Sequence, residues 1–309
     1  MATHVTVAIP TFRRNDDLIE LIPILGAEVG DLTSGGRYEA RVLIIDNDPD
    51  GGAESVVRQL GHFPVDYVHE PRPGLSSVRN RAVDESAASR LLAFMDDDGR
   101  PVAGWLGHLV ETWESERPAA VAGRVLEDYE CEPDPWIVAG EFFRRRSLPT
   151  GTVVPVAPAG NLLLDLDQIR HHRLRFDARF GLSGGEDTLL TRQITAVGGR
   201  IIWNEESQVV DQVPAVRMTR QWVLNRSRSH GNTSALVDQA MAKRHRDIVR
   251  ARIGSAVGGL ARVVGGTIRY GIGVLVSSDR HQARGLRAAY RGAGMMSGAV
   301  GTVIQEYSR

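Results

Sequence analysis

The sequence predicts an α/β protein: a mostly parallel sheet flanked by helices, with a helical C-terminal appendage. Apolar runs at 5–9, 42–45, 65–69 and 91–95 are short and nearly uninterrupted, and the stretches between them carry apolar residues at helical spacing. Strands buried on both faces alternate with covering helices in this way when each crossover returns parallel. Beyond residue 240 the alternation stops and the chain turns rich in Gly, Val and Arg, which sets off the appendage.

Taken in order, Val5-Thr6-Val7-Ala8-Ile9 is the first strand and Pro10 breaks it. Asn15 or Asp16 can cap a helix through Leu18, Ile19, Leu21, Ile22 and Leu25 that ends near Gly26. Residues 41–46 form a strand, then a Pro-Asp-Gly-Gly turn leads into a helix at 53–60; 65–69 is a strand and 75–88 a helix. Leu91-Leu92-Ala93-Phe94-Met95 is a buried strand that stops abruptly at three acids, Gly99 and Pro101. A helix at 102–116 and a strand at 119–125 follow. The acidic loop at 127–135 holds Cys131, and 136–150, with Phe142-Phe143 before three arginines, is a solvated loop, a mobile cover or a membrane-docking patch. A strand restarts at 160–164, ahead of a helix whose His171-His172 pair reads as exposed. Strands at 200–203 and 209–211 precede a basic helix and loop at 220–232 that bears Trp222.

Length and composition bound the class. A chain of 309 residues suits one large domain plus an appendage, and 42% hydrophobic with 24% charged residues is ordinary for a soluble globular protein. The net charge of −1 hides an asymmetry: residues 241–309 hold 12 Lys and Arg against 3 acids, and residues 1–240 hold 25 against 35. The basic residues of the tail are not interleaved with stacking aromatics, so no nucleic-acid partner is expected. A single cysteine excludes an internal disulfide and a Cys-rich zinc site. With no signal-peptide pattern at the start, the expected location is the cytoplasm.

Ligands of such sheets bind at the carboxyl ends of the strands, and three of those ends are chemically marked. Pro10, Thr11, Phe12, Arg13 and Arg14 follow the first strand, Asp46, Asn47 and Asp48 the second, and Asp96, Asp97 and Asp98 the fourth. Adjacent carboxylates repel one another, so a cation or a ring of donors is expected among the last three, with a solvated turn as the plain alternative. No Gly-x-Gly-x-x-Gly follows the first strand and no Walker lysine loop occurs anywhere. An aromatic face with Asp or Asn can hold a base, and arginine suits a diphosphate. Glu186-Asp187 opens a helix after a Gly-rich loop, where acids also favour the macrodipole without any further role.

Five stretches in order, Val-Ala-Ile-Pro-Thr-Phe-Arg-Arg, Leu-Ile-Ile-Asp-Asn-Asp, Gly-Leu-Ser-Ser-Val-Arg-Asn-Arg-Ala, Ala-Phe-Met-Asp-Asp-Asp-Gly-Arg-Pro and Gly-Gly-Glu-Asp-Thr-Leu-Leu, resemble the ordered motifs of family-2 glycosyltransferases, which have the GT-A, Rossmann-like fold. The resemblance covers residues 5 to about 232. It implies an inverting, metal-dependent transfer of one sugar from a nucleotide-diphospho-sugar to a hydroxyl acceptor. Pro10, Thr11, Phe12 and Arg13 would line the donor with Asp46 and Asn47 at the base, and Arg79 would reach the base or diphosphate. Of the three acids, Asp96 and Asp97 would approach the donor, while Asp98 together with Asp96 would hold Mg2+ or Mn2+. Asp187 would be the base, with Glu186 orienting the acceptor or loop. Many relatives carry a His after such a Val-Val strand where Asp211 stands here, so a third metal or phosphate contact is not expected from that strand, and the Gln-x-x-Arg-Trp signature of processive synthases is absent, since Trp222 follows Gln221 directly.

On this reading residues 1–235 form the catalytic domain, with a donor half of about 1–125 and an acceptor half of about 126–235, and 236–309 the basic helical region. Uridine is the first choice of donor base, ahead of thymidine and guanosine, and the acceptor is a saccharide or a lipid-linked one in polysaccharide, glycolipid or envelope glycan assembly. Two other classes share features: a nucleotidyltransferase, which would want a Gly-rich first loop that Pro10–Arg14 lacks, and a non-catalytic sugar- or lipid-binding module, which would be expected to have lost the acids. The tail's longest uncharged run, at 292–305, has 14 residues, short of the roughly 20 that span a bilayer. Its helices are expected either to lie on an anionic membrane surface at the inner face of the cell membrane, or to pack on the body or on a second copy in a homodimer.

Overall fold

A computed structural model describes residues 2–306; Met1 and residues 307–309, the end of the basic tail, lie outside the described residues. The alternation holds through the first third, as β1 (Thr3–Thr11), α1 (Asn15–Thr33), β2 (Tyr38–Asp46), α2 (Glu54–Gln59), β3 (Val65–His69), α3 (Leu75–Glu85) and β4 (Leu91–Met95). The ladders β1–β2, β1–β4 and β2–β3 are parallel, with Val7 opposite both Val42 and Ala93. Successive side chains of β4 enter opposite cores: Leu91, Ala93 and Met95 pack with Leu18, Leu25 and Trp105, whereas Leu92 and Phe94 pack with Ile45, Leu162 and Ile194. That two-sided burial explains the uninterrupted apolar runs, each large side chain contributing about 1.5–3 kcal/mol.

The sheet continues differently. After β5 (Gly99–Pro101), α4 (Trp105–Glu116), β6 (Ala120–Tyr129) and α5 (Pro135–Gly140) come β7 (Asn161–Asp165), α6 (Leu166–His171), α7 (Glu186–Ala196) and β8 (Ile201–Val213). The strand order is β3-β2-β1-β4-β7-β6-β8-β5, and β7 runs antiparallel to both β4 and β6, as β5 does to β8. The fold is therefore mixed, parallel up to β4 and antiparallel in the β4–β7, β6–β7 and β5–β8 ladders beyond it. Residues 99–101 were expected in a turn; they pair with β8, which is one strand of 13 residues where two were expected.

Helix α1 also departs from expectation, passing Gly26 to end at Thr33. Gly26 is a point of close approach instead of a stop, since a Cβ there would lie 2.5 Å from Cδ1 of Phe63.

Contacts divide the chain into two compact units. The first is Met1–Leu126, Arg145–Gly181 and Glu186–Asp211; the second is Glu127–Arg144, Leu182–Gly185 and Gln212–Arg309. In the second, α8 (Arg220–Met241) is a single helix of 22 residues where a helix and loop were expected, and the apolar tail folds as α9 (His245–Leu275) and α10 (Asp279–Ala299). Glycine lets these two helices meet backbone to backbone: a Cβ on Gly259 would lie 2.7 Å from the Gly292 carbonyl oxygen, and one on Gly266 2.6 Å from that of Gly285. The Phe142-Phe143 segment is anchored in the same unit, Phe142 stacked on Trp136 and Phe143 on Trp222. No helix among the described residues is long and apolar enough to cross a membrane.

Candidate active site

The first unit gathers the marked strand ends. Thr11, last residue of β1, donates its hydroxyl to Asp97 Oδ2 at 2.9 Å, and Arg14 Nη1 reaches Asp97 Oδ1 at 2.6 Å and Asp98 Oδ2 at 2.8 Å. Asp97 is buried, and that burial pushes its carboxyl up to about 6 against the pull of Arg14. It therefore serves as a tie between the loops after β1 and β4. Pro10 is buried within β1, while Phe12 is exposed under the Arg13 guanidinium, 5.2 Å from its ring centre. Arg13 takes a left-handed backbone conformation, φ 56°, which turns its Nε to within 3.2 Å of Asp48 Oδ1.

Asp46 and Asn47 shape the neighbouring loops from within. Asp46 accepts the backbone N–H of Asp48 at 2.8 Å and of Ala53 at 2.9 Å, and the Tyr67 hydroxyl at 3.0 Å. The Asn47 carboxamide donates to the carbonyls of Glu70 and Arg72, both at 2.7 Å, and accepts from Gly74 N–H at 3.0 Å. These bonds fix residues 70–74 ahead of α3, which carries Arg79.

Arg79 is the hub of the second cluster. Its side chain is 5% exposed; Nη1 binds the Glu186 carboxylate and Nη2 lies 3.4 Å from Asp96 Oδ1. Glu186 is buried, one of its oxygens has no hydrogen-bond partner among the described residues, and burial pushes the carboxyl up to about 7, opposed by Arg79 and reinforced by Asp187. Glu186 thus faces inward to Arg79. Asp187 is half-buried; its Oδ2 accepts from Ala159 N–H at 3.1 Å and its Oδ1 from the N–H and hydroxyl of Thr188. The residue after Ala159 backs Asp96, because a Cβ on Gly160 would come 2.8 Å from Asp96 Oδ2. One short segment, 159–160, thus lies against two of the expected site carboxylates.

Sequence reasoning named Arg79, Asp96, Asp98, Glu186 and Asp187, which the fold brings into two adjoining clusters; it placed Arg14 in the marked first loop and a strand from Gly160 next to the site without pairing either with an acid, and it did not name Ala159. Arg14 stands in the first loop beside three uncompensated acids, a charge pairing that could have been anticipated; the backbone N–H of Ala159 leaves no trace in a sequence. Asp211, in the position of the missing His, is opposite Gly99 in the β5–β8 ladder and pairs with Arg145.

The donor set at Asp96 and Asp98 suits a hard divalent cation. Asp96 is half-exposed, Asp98 is 19% exposed and shares Arg14 with Asp97, and no group of three or more His, Cys, Asp or Glu among the described residues is placed to hold a metal by itself. Two carboxylates without further protein ligands match Mg2+ or Mn2+, which retain waters and take phosphate oxygens.

Comparison with known proteins agrees with this architecture. The model of Glycosyl transferase family 2 matches residues 6–167. The succinoglycan biosynthesis protein ExoM of Rhizobium meliloti (strain 1021) is 31% identical over 233 residues, 74% of each chain. Among solved structures, the mannosyltransferase PcManGT from Pyrobaculum calidifontis in complex with GDP-Man and Mn2+ superposes with a TM-score of 0.65 at 16% identity, over 96% of this chain and 87% of that one. S. aureus TarS 1-349 in complex with UDP-GlcNAc gives 0.55 at 11% identity, over 94% and 92%. GalNAc-T7 with UDP, GalNAc and Mn2+ gives 0.51 at 13% identity, over 77% and 50%. At those identities the structural likeness speaks to the fold, and the family model and the sequence relative speak to descent. The chain belongs to glycosyltransferase family 2.

Proposed function

We propose that the chain transfers one sugar, with inversion, from a nucleotide-diphospho-sugar to a hydroxyl of a saccharide or lipid-linked acceptor. The names of the relatives support the setting, extracellular polysaccharide or envelope glycan assembly, and the nucleotide-sugar donor, for which UDP is the first choice. The observation that carries the reading is the 159–160 segment, which holds Asp187 at Oδ2 and backs Asp96. On this reading a base and a diphosphate-side carboxylate lie against one stretch of backbone.

In this reading Phe12 stacks on the base, and the loop built on Asp46 and Asn47 frames it. Arg13 and Arg79 add positive charge on the diphosphate side, Arg79 also keeping Asp96 oriented. Mg2+ or Mn2+ held by Asp98 and Asp96 would neutralise charge on the two phosphates. Asp187 takes the proton of the acceptor hydroxyl as that oxygen attacks the anomeric carbon from the face opposite the diphosphate. The anomeric C–O bond breaks and the nucleoside diphosphate departs with the electron pair. Glu186 is too buried to touch an acceptor, and supports the site by fixing Arg79. Residues 1–235 are the catalytic part on this proposal, with donor half 1–125 and acceptor half 126–235, working in the cytoplasm at the inner face of the cell membrane.

Calorimetric titration of UDP, dTDP, GDP and CDP with and without Mn2+ tests the proposal. Asp98→Asn should weaken the metal-dependent binding of one nucleotide by about tenfold or more, whereas Asp187→Asn should bind as the parent does and lose transfer by about a thousandfold. The opposite pattern would overturn the assignment of base and metal ligand.

A further inference from the structure

Helix α9 carries its large apolar side chains on the face that its packing leaves bare. Its buried residues are Ser255, Gly259, Gly266 and Gly273, spaced four and seven apart on one side. On the opposite side Ile253, Val257, Leu260, Val264, Ile268 and Ile272 recur every three or four residues, and each is between 47% and 63% exposed. A helix that packs on a water-soluble body turns such a row inward. Here the glycines draw α10 onto the other face, so the row, about 28 Å long at the rise of an α-helix, stays uncovered. A contiguous apolar surface of that size marks an interaction site.

Charge identifies the occupant. α9 holds five arginines, at 246, 250, 252, 262 and 269, against the single acid Asp247, and residues 241–306 hold 11 Lys and Arg against 3 acids. A second copy of this helix would set arginine against arginine, whereas an anionic surface complements it. Arg246 and Arg250 are exposed at the N-terminal end of the row, whereas Arg252 turns to α8, its Nε donating to Gln239 Oε1 at 2.8 Å. No described helix can span a bilayer, so the geometry is that of a helix lying in the plane of the interface. We propose that α9 docks on an anionic lipid surface, with its apolar row at the acyl boundary and Arg246 and Arg250 among the head groups. This surface lies in the second unit, and the proposal stands whether or not the sugar-transfer reading does.

Flotation of the full chain with vesicles tests it, using phosphatidylcholine containing about a third phosphatidylglycerol against phosphatidylcholine alone. The parent should float with the anionic vesicles, and the combined Val257→Gln, Leu260→Gln and Val264→Gln variant should lose partitioning by about tenfold or more. These positions are exposed, so circular dichroism should give the same helix content and melting temperature for both. A separate Arg246→Gln and Arg250→Gln variant should bind more weakly at low salt and converge with the parent at high salt. Failure of the parent to float, or equal flotation of the glutamine variant, would overturn the proposal. So would a parent dimer in sedimentation equilibrium that the glutamine variant dissolves, which would assign the row to a second copy.

Discussion

Replacing Arg79 with Met should destabilise the protein by an amount that grows with pH. Glu186 ionises at about 7 in the folded chain against an ordinary 4.5, because burial disfavours its charge more than Arg79 restores it. An acid whose folded pKa is raised contributes stability at acid pH that is lost as pH climbs through that value; here the span corresponds to about 3 kcal/mol. In the parent this loss is complete near pH 7. Without Arg79 the carboxyl stays neutral further, so the decline continues by about 1.4 kcal/mol for each additional pH unit.

Near pH 6, where Glu186 is mostly neutral, Arg79→Met should cost about 1 kcal/mol, chiefly from the lost contact with Asp96 at 3.4 Å. Near pH 9 the cost should reach about 4 kcal/mol, the size expected when one member of a buried ion pair is removed. The assay is urea unfolding followed by circular dichroism at both pH values. Adding Glu186→Leu to Arg79→Met should recover most of the loss at the higher pH, because the uncompensated buried carboxyl is then gone. Equal costs at the two pH values, or a double variant no better than the single, would refute the reasoning.

Three further outcomes are expected. Gly160→Ala should push Asp96 aside, since the new Cβ meets its carboxylate at 2.8 Å, raising the donor KM by roughly three- to tenfold while the melting temperature changes by only a few degrees. Gly292→Ala, whose Cβ would lie 2.4 Å from the Gly259 carbonyl oxygen, should destabilise the α9–α10 hairpin by about 1–3 kcal/mol and speed amide exchange there first. Asp165 is buried, which alone would raise its carboxyl, but Arg90, Trp113 and Gln168 outweigh that and hold it below the usual range. Its contribution should be present above the ordinary carboxylate pKa and lost on acidification, so Asp165→Asn should flatten the acid limb of a thermal-stability profile.

The parallel part of the fold was legible because burial on both faces leaves a period-free apolar run, as in 42–45 and 91–95, and strand ends in such a sheet carry chemistry. The antiparallel strands were less so. Nothing local distinguishes Asn161–Asp165 pairing antiparallel to β4 from a further parallel strand, and Gly99–Pro101 has the composition of a turn until β8 is there to receive it. The site acids could be read from their crowding and order. Their partners could not, because Arg79 and Glu186 are 107 residues apart and the N–H that holds Asp187 belongs to an alanine. In the tail, the sequence showed apolar residues, glycines and arginines together, but which of them face inward depends on glycine packing between α9 and α10.

The position of β7 also sets the order in which the molecule can be completed during synthesis. β3, β2, β1 and β4 can pair as soon as residue 95 has emerged, yet the free edge of β4 then waits for residues 161–165. Until they arrive, an apolar strand with unpaired backbone groups lies open, a template for pairing with another chain. A chain stopped near residue 125 would keep that edge permanently. The segment up to residue 125, for all its self-contained ladder, is therefore one that must be escorted or followed promptly by the rest of the chain.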